Sequence, residues 1–75
     1  MKFIEMTGQT LTALVSDDEM GPEELSGAGI DRDTIVRINE QGDIEVRRDA
    51  GWDVIGGLLG DYVKRVQQAT GLDFA

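Results

Sequence analysis

A chain of 75 residues has room for one domain and one modest core, because at this size only about 60% of the surface exposed by unfolding is buried on folding. Its 15 Asp and Glu against 7 Lys and Arg give a net charge of -8, which repels the nucleic-acid backbone and anionic lipid at long range. With no His and no Cys, the commonest general base, the strongest side-chain nucleophile, the thiolate metal ligand and the disulfide are all excluded.

Hydrophobic residues at 40% and charged residues at 29% place the chain among sequences that fold, well away from the low-hydrophobicity class that stays disordered. No apolar run approaches the ~18 residues of a membrane span, and no charged start leads into an apolar run and cleavage site. These features predict a single domain over residues 1–75, in the cytoplasm and off the membrane. The initiator Met1 reads as the start of a complete gene product.

In chain order, Lys2 to Met6 and Leu11 to Ser16 are short apolar runs with β-compatible residues, and Thr7 to Thr10 between them suits a hairpin loop. From Asp17 to Gly29 the pattern is irregular. Pro22 lacks an N–H that a first helical position leaves unpaired anyway, and Glu23 and Glu24 suit the positive end of a helix dipole. One or two helical turns are expected there, ended by Gly27 and Gly29.

Asp43 to Arg47 alternates strictly, with Ile44 and Val46 on one face and Glu45 and Arg47 on the other. Thr34 to Glu40 is the matching strand, and Asn39-Glu40-Gln41-Gly42 carries the residues of a tight hairpin turn. Across that hairpin Glu45 and Arg37 are set to pair, for a few tenths of a kcal/mol. A turn at Asp49 to Gly51 leads to a third strand, Trp52 to Ile55, with Trp52 and Val54 on one side and Gly56 and Gly57 as its stop. From Leu58 to Thr70 the apolar positions Leu58, Leu59, Tyr62, Val66 and Ala69 recur at helical spacing. Gly71 is placed for a left-handed cap, with Leu72 folding back as in a Schellman stop.

The predicted architecture is α+β: a small antiparallel sheet of four or five strands in hairpins and a meander. The C-terminal helix packs across one face through Leu58, Leu59, Tyr62 and Val66. The other face and the open edges then stand in water, which native sheets avoid by covering or pairing them. A homodimer or a docked protein partner is therefore expected.

Chemistry-bearing motifs are few. Asp17, Asp18, Glu19, Glu23 and Glu24 do not follow the alternating ligand spacing of a calcium loop, and they read as a solvated, charged loop. Gly56-Gly57-Leu58-Leu59-Gly60 precedes a helix but lacks the Lys-Ser/Thr of a P-loop and the spacing of a dinucleotide fingerprint. No cofactor is called for. An enzyme built on carboxylates alone requires two acids that share a concave pocket.

Two resemblances concern DNA. The run Glu24-Leu25-Ser26-Gly27-Ala28-Gly29-Ile30-Asp31-Arg32-Asp33-Thr34-Ile35-Val36-Arg37-Ile38 resembles the helix-turn-helix of small bacterial repressors, in which a leucine-bearing helix, a glycine turn and a recognition helix with Thr and Arg follow one another. The resemblance implies a small DNA-binding transcriptional regulator built on residues 24–42, with the hairpin as a wing. The leucine-to-glycine spacing is one residue short, Asp31 and Asp33 would face phosphates, and Ile35-Val36 favours a strand, so no residue role is carried over. The hairpin also resembles the swapped-hairpin DNA-binding domains of antitoxins, without the Pro and basic positions that follow their second strand.

Arg32, Arg37, Arg47 and Arg48 are expected as a local basic stripe on the hairpin, and with Trp52 they form the candidate interaction surface. Trp52 itself is read first as core, as the largest apolar side chain of a small domain, and second as an interface anchor. The sequence thus predicts a non-enzymatic protein-interaction or regulatory module, with the DNA-binding regulator as the alternative.

Overall fold

Alternation along four segments builds the sheet. In the computed structural model, which describes residues 2–74, β1 (Phe3–Thr7), β2 (Ile35–Asn39), β3 (Asp43–Arg48) and β4 (Gly51–Gly57) form one antiparallel sheet in the order β1-β2-β3-β4. Ile4 lies opposite Ile38 and Met6 opposite Val36. Val36 in turn faces Val46, and Ile38 faces Ile44. These six side chains are buried on one side of the sheet, so the period of two read from the sequence is also the period of burial. The expected α+β class, meander and Ile44/Val46 phase all hold.

The β2–β3 turn is fixed by its own side chains. Asn39 Oδ1 accepts from the N–H groups of Gln41 and Asp43 at 2.9 and 3.0 Å, and its Nδ2 donates to Asp43 Oδ2 at 3.1 Å. Gly42 donates its N–H to the Asn39 carbonyl at 3.0 Å and takes φ 87, a left-handed value that glycine adopts without a Cβ clash. Tyr62 lies against this glycine and donates its hydroxyl to the Glu40 carbonyl at 2.6 Å.

Three helices cover the buried side: α1 (Gly8–Leu14), α2 (Pro22–Gly27) and α3 (Tyr62–Thr70). The expected strand Leu11 to Ser16 and its hairpin are replaced by α1. Thr7 caps that helix by accepting from the Thr10 N–H, and Leu11 and Leu14, three apart, both turn inward. A short apolar run fits either period; the Thr7 cap is compatible with helix, and the docking of Gly8 decides between them. Gly8 makes the sharp strand-to-helix change possible. Its N–H donates to the Thr34 carbonyl at 2.7 Å, and a Cβ there would lie 1.8 Å from the Asp31 carbonyl oxygen.

Helix α2 matches expectation, with Pro22 in its first turn and the Glu24 carboxylate accepting from the Gly21 N–H. It closes as a Schellman motif: Ile30 N–H donates to Leu25 at 2.9 Å, Gly29 N–H to Ser26 at 3.0 Å, and Gly29 takes φ 77. The second helix needed by the repressor-like reading is absent, because residues 35–39 are strand β2. β-branched Ile35 and Val36 decide that.

Helix α3 begins at Tyr62, four residues later than the periodicity suggested. Gly56 and Gly57 continue β4 instead of stopping it, Leu58 hydrogen-bonds to Gly42 at 2.8 Å, and Gly60 at φ 65 turns the chain before helix can form. Leu58 is buried from this connection, whereas Leu59 is 64% exposed and takes no part in packing. Val66, fully buried, carries α3 into the core, and α1 is its main neighbour. Gly71 closes the helix at φ 73 with its N–H on the Gln67 carbonyl. Leu72 is exposed and donates to Thr70 Oγ1, so the cap is the simple left-handed one and not the Schellman stop expected.

Candidate interaction surface

With three helices on one side, the sheet's other side stays bare. Its residues follow from register: Glu5 faces Arg37, Arg37 faces Glu45 and Glu45 faces Val54, while Thr7 faces Ile35 and Arg47 faces Trp52. Phe3 and Ile35 are each 37% exposed and Val54 60%. Trp52 is therefore not core. It shares a side with Val54 as its phase required, but that side is the outer one, because β4 pairs with the Glu45 and Arg47 phase of β3.

Arg37 organises this face. Its Nε and Nη2 donate to Glu45 Oε1 at 3.0 and 2.8 Å, the cross-strand pair read from the sequence. The guanidinium carbon lies 3.6 Å from the Phe3 ring centroid and 4.1 Å from that of Trp52. Each such contact is worth about 0.5–1 kcal/mol at a partly exposed site. To reach Arg37 on β2 from β4, Trp52 must lie across β3, which explains how Glu45 is buried on a face without any covering element. The result is a stacked ridge of Phe3, Arg37 and Trp52, flanked by exposed Ile35 and Val54.

The four arginines Arg32, Arg37, Arg47 and Arg48 do not form the expected stripe. Arg37, Arg47 and Trp52 share the outer face, and the Arg47 side chain makes no hydrogen bond or ion pair with another described residue. Arg48 has the opposite phase, donating Nη2 to the Ala28 carbonyl at 2.9 Å with Nε 3.6 Å from Asp53 Oδ2. Arg32 lies in the loop before β2, exposed, with its carbonyl taking the Gln9 N–H. Sequence reasoning missed Phe3 as a partner of Arg37, although its phase, opposite to Ile4 and Met6, carried the signal.

The second charged cluster joins distant parts of the chain. Glu19, whose side chain is 2% exposed, binds Arg65 through Oε2 at 2.6 Å and Oε1 at 2.8 Å. It also accepts from the N–H and hydroxyl of Ser16 and from the N–H of Leu59. Arg65 donates further to the carbonyls of Leu14 and Leu59. The guanidinium first, and then these other donors, hold the Glu19 carboxyl down at about 2, against the opposing effect of burial. Every lone pair is engaged, so this carboxylate is a structural anion and no proton shuttle. Asp31 is likewise lowered, by the N–H of Asp33 and the hydroxyl and N–H of Thr34.

Asp17, Glu23 and Glu24 do line one surface concavity, with Gly21 and Pro22, of about 430 Å³. All three acids are exposed. Among the described residues no group of three or more His, Cys, Asp or Glu is arranged to hold a metal ion, and no helix is long and apolar enough to cross a membrane. No family model, curated protein or solved structure matches this chain.

Proposed function

We propose that this chain is a non-enzymatic, cytoplasmic protein-interaction module that presents the bare face of its sheet to a partner protein or to a second copy of itself. One observation supports this reading above the rest: Phe3, Ile35, Trp52 and Val54 stand on a sheet face with no covering element, and grouped exposed apolar side chains of this kind mark interaction sites. The aromatic–arginine composition of the ridge is also that of protein-interface anchors. The DNA-binding alternative is not favoured by any observation, since its recognition helix is strand.

Photo-crosslinking in the native host tests the proposal. A photoreactive residue at position 35, on the bare face, is expected to capture a discrete product that the same residue at Ser26, on exposed α2, does not. Absence of any product at 35, or equal products at both positions, would refute it.

A further inference from the structure

Edge strand β4 adds a backbone feature to the bare face. It is the last strand of the sheet, and among the described residues Gly51–Gly57 makes no backbone hydrogen bond on its outer side. Half of its N–H and C=O groups are thus open to pairing. Native proteins guard such edges with lysine, proline or bulges. β4 has no Lys or Pro and three glycines, its one charged side chain is Asp53, and its one bulge, opposite Ile44/Glu45, leaves Gly51 to Val54 in regular register. Trp52 and exposed Val54 stand on the bare face along that same stretch. The other edge, β1, is shorter by two residues.

We propose that β4 accepts an extended, basic segment of a partner protein as a fifth strand, its apolar side chains covering Val54 and Trp52; this rests on the interaction reading above. The backbone row calls for an extended chain, since strand addition draws its affinity from main-chain hydrogen bonds and its specificity from alternate side chains. Charge sets the sign of those side chains. The domain carries -8; Asp53 is exposed in the middle of the edge with only a loose 3.6 Å contact to Arg48, Asp49 precedes it, and exposed Arg47 lies one strand in, on β3. A second copy fits poorly. Two-fold antiparallel pairing centred on Asp53 sets that residue directly against its own copy, neighbouring registers leave the two copies close, and like charges across a pair of strands destabilise it.

Selection from a displayed library of random peptides on the immobilised full chain tests this. The expected result is enrichment of peptides that alternate apolar residues with Lys or Arg, bound at least about tenfold more weakly by Asp53→Lys, as expected when a like charge enters the edge. Glu23→Lys makes the same charge change on exposed α2 and is expected to leave the affinity within about twofold. Enrichment of acidic peptides, no enrichment, or equal losses in both variants would overturn the inference. So would a chain that sediments as a dimer and is made monomeric by Trp52→Ala, a result that leaves the interaction reading standing with a second copy as occupant. A crosslink at position 35 that survives Asp53→Lys likewise keeps the bare face and discards the edge.

Discussion

Neutralising Glu19 probes the tie that holds the covering layer together. A carboxyl that titrates at about 2 in the folded chain and at 4.5 in the unfolded one stabilises the fold by about 3 kcal/mol at neutral pH, at ~1.36 kcal/mol per pH unit. The total for a chain of this length is ~4–11 kcal/mol, so this is a large share. Because the folded value is the lower one, the stabilisation is complete above the unfolded value. It is then lost as pH falls from 4.5 toward 2, with about 2 kcal/mol gone by pH 3. Glu19→Gln removes the charge and turns an amide N–H₂ toward one of the two sets of donors that bind the carboxylate. In urea unfolding followed by the fluorescence of Trp52, the only tryptophan, the variant is expected to be less stable than the parent by about 2–4 kcal/mol at pH 7. That difference shrinks by about 2 kcal/mol at pH 3, as the parent's own Glu19 protonates. Carboxylates common to both chains cancel in the comparison. A deficit below about 1 kcal/mol at pH 7, or one that does not change with pH, refutes the assignment of Glu19 as the ionised anchor.

Two glycine substitutions separate steric need from mere flexibility. Gly8→Ala places a Cβ 1.8 Å from the Asp31 carbonyl oxygen and is expected to cost about 3 kcal/mol or more, seen as a lost or strongly lowered thermal transition by circular dichroism. Gly27→Ala meets nothing within 4 Å and is expected to stabilise α2 by about 0.5–1 kcal/mol, so a lowered Tm would contradict the helical backbone assigned to it. At Gly71, with φ 73, alanine pays the left-handed penalty of ~1–2 kcal/mol, measured by urea unfolding. Arg37→Ala removes the guanidinium beside Trp52 and is expected to shift Trp52 emission to the red with the far-ultraviolet dichroism unchanged; an unshifted spectrum would mean that the stacked ridge does not persist in solution.

The parts of the fold visible in the sequence are those where a single local signal acted alone. Alternation fixed β2 and β3, Asn39 and Gly42 fixed the turn between them, and Pro22 with Glu24 fixed α2. Misreadings came where a local pattern had two solutions and a distant contact chose between them. The Leu11 to Leu14 run became helix because Gly8 could dock against Asp31 and Thr34, residues more than twenty positions away. The start of α3 moved because Leu58 was drawn into a hydrogen bond with Gly42. Trp52 illustrates a third case. Its phase relative to Val54 was legible, but which side of the sheet would be buried depended on β4 pairing with the Glu45 phase, and no residue of β4 declares that alone. Of the candidate surface, Arg37 with Glu45 was readable from hairpin register; Phe3's outward phase was readable too, but its place beside Arg37 was not, because β1 and β2 are joined only after two helices.

Glu19 and Glu45 each pair with an arginine, and their different places in the chain give the two pairs different structural weight. Glu19 and Arg65 are 46 positions apart and join the α1–α2 loop to α3, segments with no hydrogen-bonded ladder between them, so losing this pair loosens the covering layer. Arg37 and Glu45 lie on strands already paired by backbone hydrogen bonds. Such an ion pair adds little net free energy, because desolvation offsets most of the attraction. The Arg37 guanidinium lies between two aromatic rings on the bare face, where the sheet's own stability does not depend on it. Arg48 stands outside the surface, since its guanidinium is engaged by the Ala28 carbonyl and ties the end of α2 to β3.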